Sequence, residues 1–264
     1  MKKKDNTLIV DENKYIKLSI VSQIGDREEQ QDSAGYFVTD NKLFVTVCDG
    51  MGGHNGGRFA SKAASDNAIK MFTCNIVESD YISLLNDITV EADKKVSNLK
   101  DDKGNALNAG STMVSIIIDS DELFWSSVGD SRLYLLRKDE FIQVTVDHNY
   151  KGYLKEKLDN GQIDDEEYKK EMVRGDALLS YLGLDGLELI DYNSEPFKLL
   201  SGDKLILMTD GLYKILDDLE ICNIITNFKN IKECAKSLEK KLLKKSKKNK
   251  INKDNITYAL INVK

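Results

Sequence analysis

The stretch Leu43–Arg58, LFVTVCDGMGGHNGGR, constrains the fold more than any other part of the chain. It opens as a short apolar run with β-branched members, Leu43 to Cys48, which reads as a strand buried in a sheet. The strand stops on Asp49-Gly50, and Gly52, Gly53, Gly56 and Gly57 follow. Backbone this rich in glycine can approach something small and charged, because no Cβ stands in the way. A helical face comes next, with Ala60, Ala63, Ala64, Ala68, Met71 and Phe72 spaced along Arg58–Phe72. A carboxylate ending a buried strand, a pliant turn and a helix start suit a cation or a phosphate. A plain glycine-rich strand–helix connection fits the same residues.

Two phosphate motifs fail here. Gly52 to Gly57 has the glycine spacing of a Walker A loop, but Arg58 and Phe59 replace its lysine and hydroxyl. A cysteine phosphatase needs Cys-x5-Arg, and the residue six positions after Cys48 is His54. The other three cysteines fail as well, so neither a nucleotide loop nor a thiol nucleophile is indicated.

The chain of 264 residues suffices for one large domain or two small ones, and no interdomain linker or internal repeat appears; we read one domain. No apolar run approaches the length of a bilayer span, and Met1-Lys2-Lys3-Lys4 leads into polar residues, without the apolar core of a secretory signal. Four irregularly spaced cysteines are expected to stay reduced, with Cys48 a small buried hydrophobe, so the expected compartment is the cytoplasm. The net charge of −6 hides an asymmetry. Lys229–Lys253 holds eleven lysines against two glutamates, which leaves −15 on the rest. An acidic body argues against nucleic acid and fits carboxylates gathered around metal. The lysine stretch reads as a solvated helix face, with a binding tail as the alternative.

Taken in order, residues up to about Asn13 read as a mobile start and Tyr15–Ile24 as the first strand. Arg27-Glu28-Glu29-Gln30-Gln31-Asp32 is a charged turn before a strand at Ser33–Val38. Arg27 and Asp32 are either surface charge or part of a site one hairpin away from Asp49. A second helix is expected over Asp80–Leu99. Strands at Gly110–Ile118, Leu123–Val128, Arg132–Arg137 and Phe141–Val144 have short connections and suggest an antiparallel meander. Asp130 then sits on a tight turn, where a turn-forming aspartate is the ordinary reading. Asp147–Asp176 is long, charged and weakly patterned, with a helix expected at Asp164–Val173. Strands return at Leu187–Asp191 and Asp203–Met208, and helices at about Asp217–Asn227 and Asn230–Lys245 precede a strand at Ile256–Val263. A buried strand therefore ends in Asp-Gly twice, at Asp49-Gly50 and Asp210-Gly211, while Asp254-Asn255 opens another.

Strand-end aspartates that converge repel one another unless a cation neutralises them. Only His54 and His148 exist, so oxygen ligands for Mg²⁺ or Mn²⁺ are indicated, not a histidine-rich zinc site. With Arg27–Asp32, Asp49-Gly50-Met51-Gly52-Gly53, Gly110-Ser111-Thr112, Gly129-Asp130-Ser131-Arg132, Thr209-Asp210-Gly211 and Asp254-Asn255 in one order, the chain resembles the metal-dependent serine/threonine protein phosphatases of the type 2C (PPM) family, in its bacterial form.

The resemblance implies an α+β fold, a four-layer αββα sandwich of two antiparallel β-sheets flanked by helix pairs. Residues 1–264 would form one phosphatase domain, with residues 147–179 as a flap beside the cleft. The implied activity is hydrolysis of phosphoserine and phosphothreonine in proteins by direct attack of a water activated by a binuclear Mg²⁺ or Mn²⁺ centre. Asp49 would bridge both ions, the Gly50 carbonyl would bind one, and Asp210 and Asp254 would complete the other. Asp130 with Asp210 would hold a third, weaker ion. Arg27 would grip the substrate phosphate and Asp32 would orient water as part of the catalytic set. Met51 stands where many eukaryotic members place a histidine proposed as general acid, and His54 is the nearest histidine in sequence. The expected partners are phosphorylated proteins and a Ser/Thr kinase with its targets, without nucleic acid or membrane, and the expected state is a monomer. Two other readings remain open: a catalytically silent phosphoprotein-binding module, and a hydrolase of another phosphate ester.

Overall fold

The computed structural model describes residues 6–53, 56–228 and 230–264. In chain order they form β1 (Thr7–Glu12), β2 (Ile16–Gln23), β3 (Asp32–Val38), β4 (Lys42–Gly52), α1 (Gly56–Cys74) and α2 (Tyr81–Ser97). Next come β5 (Ala109–Ser111), β6 (Met113–Asp119), β7 (Glu122–Val128), β8 (Arg132–Arg137), β9 (Glu140–Gln143), α3 (Tyr150–Asp159) and α4 (Asp165–Glu171). The remainder is β10 (Asp191–Tyr192), β11 (Phe197–Lys198), β12 (Lys204–Met208), α5 (Asp210–Tyr213), α6 (Asp218–Asn227), α7 (Ile231–Asn249) and β13 (Ile256–Val263).

Two antiparallel sheets result. One has the order β1-β2-β13-β12-β8-β9; the other runs β10-β7-β6-β4-β3, with β11 on β7 and β5 on β4. Strand β4 shows why they stack. Leu43, Val45 and Val47 enter a core shared with Ile16, Leu18, Leu205, Leu207 and Ile261 of the facing sheet. Phe44 and Cys48, on the opposite face, pack against Ala60, Ala64, Phe72 and Leu85 of α1 and α2. A strand buried on both faces is apolar throughout instead of alternating, which is the run seen in the sequence. The outer face of the other sheet is covered by Leu212, Ile221, Ile225, Leu238 and Leu242 of α5, α6 and α7. The layers are therefore helix, sheet, sheet, helix.

Helix α7 settles the lysine stretch. Ile231, Cys234, Ala235, Leu238, Leu242 and Ser246 form its buried stripe, and the lysines between them are a solvated face; Lys229 lies outside the described residues. Lys241 and Lys245 reach Glu220 of α6.

Several sequence expectations change. Of the expected mobile start, residues 1–5 lie outside the described residues, and Thr7–Glu12 form β1, an exposed strand held by backbone pairing to β2 from Thr7↔Ser22 to Glu12↔Lys17. Strand β4 does not stop at Asp49-Gly50 but runs to Gly52, paired there with β5. The expected meander is broken at Gly129-Asp130-Ser131, because β7 and β8 belong to different sheets. Gly129, at φ +95°, turns the chain across. The weakly patterned segment contains α3, which buries only Leu154 and so carries no helical period. The expected strand Leu187–Asp191 shrinks to Asp191–Tyr192, with β11 after it.

Candidate metal centre

The site forms where both sheets end together. Asp32 and Asp49 are direct cross-strand partners on β3 and β4. Asp210 follows β12 and Asp254 precedes β13, two neighbouring strands of the other sheet. Asp130 lies on the turn that links the sheets.

Neutral side chains fix this arrangement. Thr112 is the clamp on Asp49: its N–H donates to the Asp49 carbonyl (2.8 Å) and its Oγ1 accepts from the Asp49 N–H (2.9 Å). The same Oγ1 is 2.6 Å from Ser131 Oγ, which ties the Asp49 strand to the Asp130 turn. Thr209 Oγ1 donates to Asp32 Oδ2 (3.0 Å) and accepts from the Thr257 N–H (3.0 Å), joining the two sheets. Asn255 holds the Arg27 loop, accepting from the Gln31 N–H (2.8 Å) and donating to the carbonyls of Ile24 and Glu29 (2.9 Å each). Gly50 is required by space. A Cβ there would lie 2.0 Å from the Gly57 carbonyl oxygen and 2.5 Å from that of Gln31.

The electrostatics are those of buried carboxylates crowded together. Burial pushes the Asp32 carboxyl up to about 7, reinforced by Asp210 and Asp254 and opposed by hydrogen bonds from Thr257 and Thr209. Asp49 is raised well above the carboxylate range, first by burial, then by Asp32 and Asp210. Asp210 raises it both by its charge and by its closeness, and two acids so near each other call for a proton or a cation. Asp130 is raised to about 6 by burial and by Asp210 and Asp147, against the pull of Lys214 and of the Tyr213 hydroxyl.

Two cationic side chains already lean on the rim. Arg27 Nη2 donates to Asp254 Oδ2 at 2.7 Å, with both side chains largely exposed, and Lys214 Nζ is 2.7 Å from Asp210 Oδ2. Among the described residues, no three carboxylate, imidazole or thiol groups gather as a ready-made chelate. The donor set nevertheless fits hard divalent ions. Mg²⁺ and Mn²⁺ accept one or two carboxylates each and keep waters in their remaining positions, and Asp49 with Asp210 supplies two carboxylates at one place. Of the residues named from the sequence, Asp32, Asp49, Asp130 and Asp210 are thus brought together, and Arg27 and Asp254 meet at the mouth. Met51 is half-buried beside Gly50; His54 lies outside the described residues.

The positioning residues Thr112, Thr209, Asn255 and Tyr213 escaped sequence reasoning. Three of them stand within the quoted motifs, and for Thr209 and Asn255 a place next to an aspartate is the signal that could have found them. Arg132 escaped too. It holds Asp147 with two bonds, at 2.9 and 2.6 Å, and lies 3.7 Å over the Tyr213 ring.

Known proteins resemble this chain in sequence and in fold. The sequence pattern of the family described as "Protein phosphatase 2C" matches residues 21–249. The serine/threonine phosphatase stp of Listeria welshimeri is 30% identical over 213 residues, covering 79% of this chain and 82% of that protein. The S. agalactiae serine/threonine phosphatase structure superposes with a TM-score of 0.75 at 25% identity, covering 95% of this chain and 100% of that one. The catalytic domain of the phosphatase PstP, solved in complex with two manganese ions, has the same fold, with a TM-score of 0.74 at 23% identity over 94% of this chain and 98% of that one. With most of its length matched, and strand-end aspartates meeting between two antiparallel sheets, the chain belongs to the protein phosphatase 2C family.

Proposed function

We propose that this chain hydrolyses phosphoserine and phosphothreonine in proteins at the Asp49–Asp210 centre, using Mn²⁺ or Mg²⁺. The observation that carries this is a buried group of like-charged carboxylates, drawn from both sheets, beside an exposed arginine. Asp49 and the Gly50 carbonyl, with Asp210 and Asp254, are the proposed ligands of two ions. Asp130 lies beside Asp210, the pair named from the sequence for a third, weaker ion. When bound, such ions neutralise the phosphate, polarise it and activate a water for in-line attack.

The chain's own residues do the rest. Arg27 stands 60% exposed at the mouth, where a planar fork of five donors can engage two phosphate oxygens as well as Asp254. Asp32, buried one cross-strand step from Asp49, accepts a hydrogen bond from Thr209, which supports the proposed role of orienting water. The intact carboxylates weigh against a silent binding module. Turnover of a phosphothreonine peptide, set beside small phosphate esters, tests the reading and separates it from a hydrolase of other esters. The proposed setting is cytoplasmic and monomeric, with a Ser/Thr kinase acting on the same substrates. Among the described residues, no helix is long and apolar enough to cross a membrane.

Arg27→Ala is expected to raise KM by about tenfold while kcat stays within a few-fold, the pattern of a lost binding contact. Steady-state kinetics on a phosphopeptide check this, and an unchanged KM removes Arg27 from the phosphate site.

Residues 147–179 are proposed as a flap that selects substrates without joining the chemistry. The segment is anchored at Asp147 by Arg132 and closed on itself by the Tyr150 N–H donating to the Ala177 carbonyl (2.8 Å). Its acidic run faces water: Asp164 caps α4 through the N–H groups of Glu166 and Glu167, and α4 buries none of its residues. Changing Asp164 to Ser, which keeps the cap, and Asp165, Glu166 and Glu167 to Gln should relax discrimination against acidic phosphopeptides. Turnover of p-nitrophenyl phosphate should stay within a few-fold. Added salt should mimic the variant on wild type, since screening weakens the same repulsion. Equal loss on every substrate would reject the flap as a selector.

A further inference from the structure

The carboxylate pair Asp130–Asp210 is already occupied by protein groups, all contributed or braced by α5. Tyr213 Oη donates to Asp130 Oδ2 (3.1 Å) and to the Asp130 carbonyl (3.0 Å). Arg132, fixed on Asp147, stacks over the Tyr213 ring and holds it there. One residue on, Lys214 Nζ sits 2.7 Å from Asp210 Oδ2 and 3.5 Å from Asp176 Oδ2. Asp176 belongs to the segment after α4, so one ammonium touches a carboxylate of the centre and one of the flap.

A divalent ion between Asp130 and Asp210 would need those same oxygens. An ammonium and a hard divalent ion are both compact charges, and in so small a space they exclude each other by repulsion and by volume. The lysine is built in. Its ammonium gives up water more readily than Mg²⁺ does, and being tethered four residues from Asp210 it has a high local concentration.

We infer that Lys214 stands in for a third divalent ion, neutralising the Asp130–Asp210 pair and bridging it to Asp176, so that this chain binds two ions and not three. The inference rests on the two-ion reading above. Tyr213 contributes by tying up one oxygen of Asp130, and Lys214 contributes the charge. Lys214 is a positioning residue, not one that touches the reacting phosphate.

The test counts Mn²⁺ on the full chain by calorimetric titration and by the electron paramagnetic resonance signal of free Mn²⁺, with no substrate present. Wild type should bind two ions. Lys214→Met, which keeps the stem and removes the charge, should gain a third or bind its weakest ion about tenfold tighter. Lys214→Gln serves as a second neutral variant should Met disturb packing, with circular dichroism checking both. Lys214→Arg should stay at two. Three ions on wild type, two on both neutral variants with unchanged affinity, or a gain in Lys214→Arg equal to that in Lys214→Met would each overturn the inference. Wild type binding no Mn²⁺ at all would overturn the two-ion reading as well, which sets that failure apart from the others.

Discussion

Replacing Asp49 by asparagine is expected to lower kcat at least about a hundredfold, or about 2.7 kcal/mol of transition-state stabilisation. Asparagine keeps the shape but loses the charge, and its amide offers one acceptor oxygen where the carboxylate offers two. Asp49 faces Asp32, Asp210 and Asp130, so the same change relieves repulsion in the metal-free protein. Activity should therefore collapse while the metal-free melting temperature holds or rises. That combination separates a lost ligand from a damaged fold. Phosphopeptide kinetics and a thermal melt on one preparation decide it, and a kcat near wild type would remove Asp49 from the centre.

Stripping divalent metal with EDTA should abolish turnover, and Mn²⁺ or Mg²⁺ should restore it. The metal-free protein should also respond to pH in a stated direction. The folded-state carboxyls of Asp32 and Asp130 lie at about 7 and about 6, above the ordinary 3.8. The native state then binds more protons than the unfolded one through this window, and stability falls as pH rises across it. The metal-free chain should melt at a lower temperature at about pH 8 than at about pH 5.5, and Mn²⁺ should narrow the gap by supplying the missing charge. Full activity in excess chelator would sink the metal mechanism. A metal-free melt that rises with pH would show that the buried carboxylates are not the strained groups.

The parts of the fold legible in the sequence are those with a repeating physical signature. Strands β4, β12 and β13 are apolar because both of their faces are covered, β2 alternates Ile16, Leu18 and Ile20 into the core, and α1, α2 and α7 show their buried stripes. Helix α3 buries one side chain and β1 almost none, so neither leaves a hydrophobic period to read. The crossing at Gly129-Asp130-Ser131 was mistaken for a hairpin because a Gly-Asp-Ser turn has the same local chemistry whether the next strand pairs or departs. Which sheet β8 joins is set by its pairing with β12 and by Tyr134 and Leu136 packing under α5, α6 and α7, a tertiary fact. At the site, the ionised residues could be named because a carboxylate at a strand end is conspicuous. Their holders, Thr112, Thr209 and Asn255, are hydroxyls and an amide, ordinary at strand ends. Only the coordinates show that Asp254 meets Arg27 and that Asp210 meets Lys214.

Strand β13 lies between β2 and β12, although β2 belongs to the beginning of the chain. Thr257 and Ser22, 235 residues apart, share a hydrogen bond across that seam. On a ribosome, which delivers the chain from its start, β1–β2 and β12 therefore emerge with open edges and wait for the strand that closes them. Until it arrives, Asp254 is absent, Thr209 lacks the Thr257 backbone N–H that it accepts from, and the carboxylates have no frame to hold them together. A growing chain therefore cannot remove phosphate from its neighbours before β13 has emerged. The same wait leaves the β2 edge open from residue 23 and the β12 edge open from residue 208 until β13 follows, the interval in which this protein would most need a chaperone.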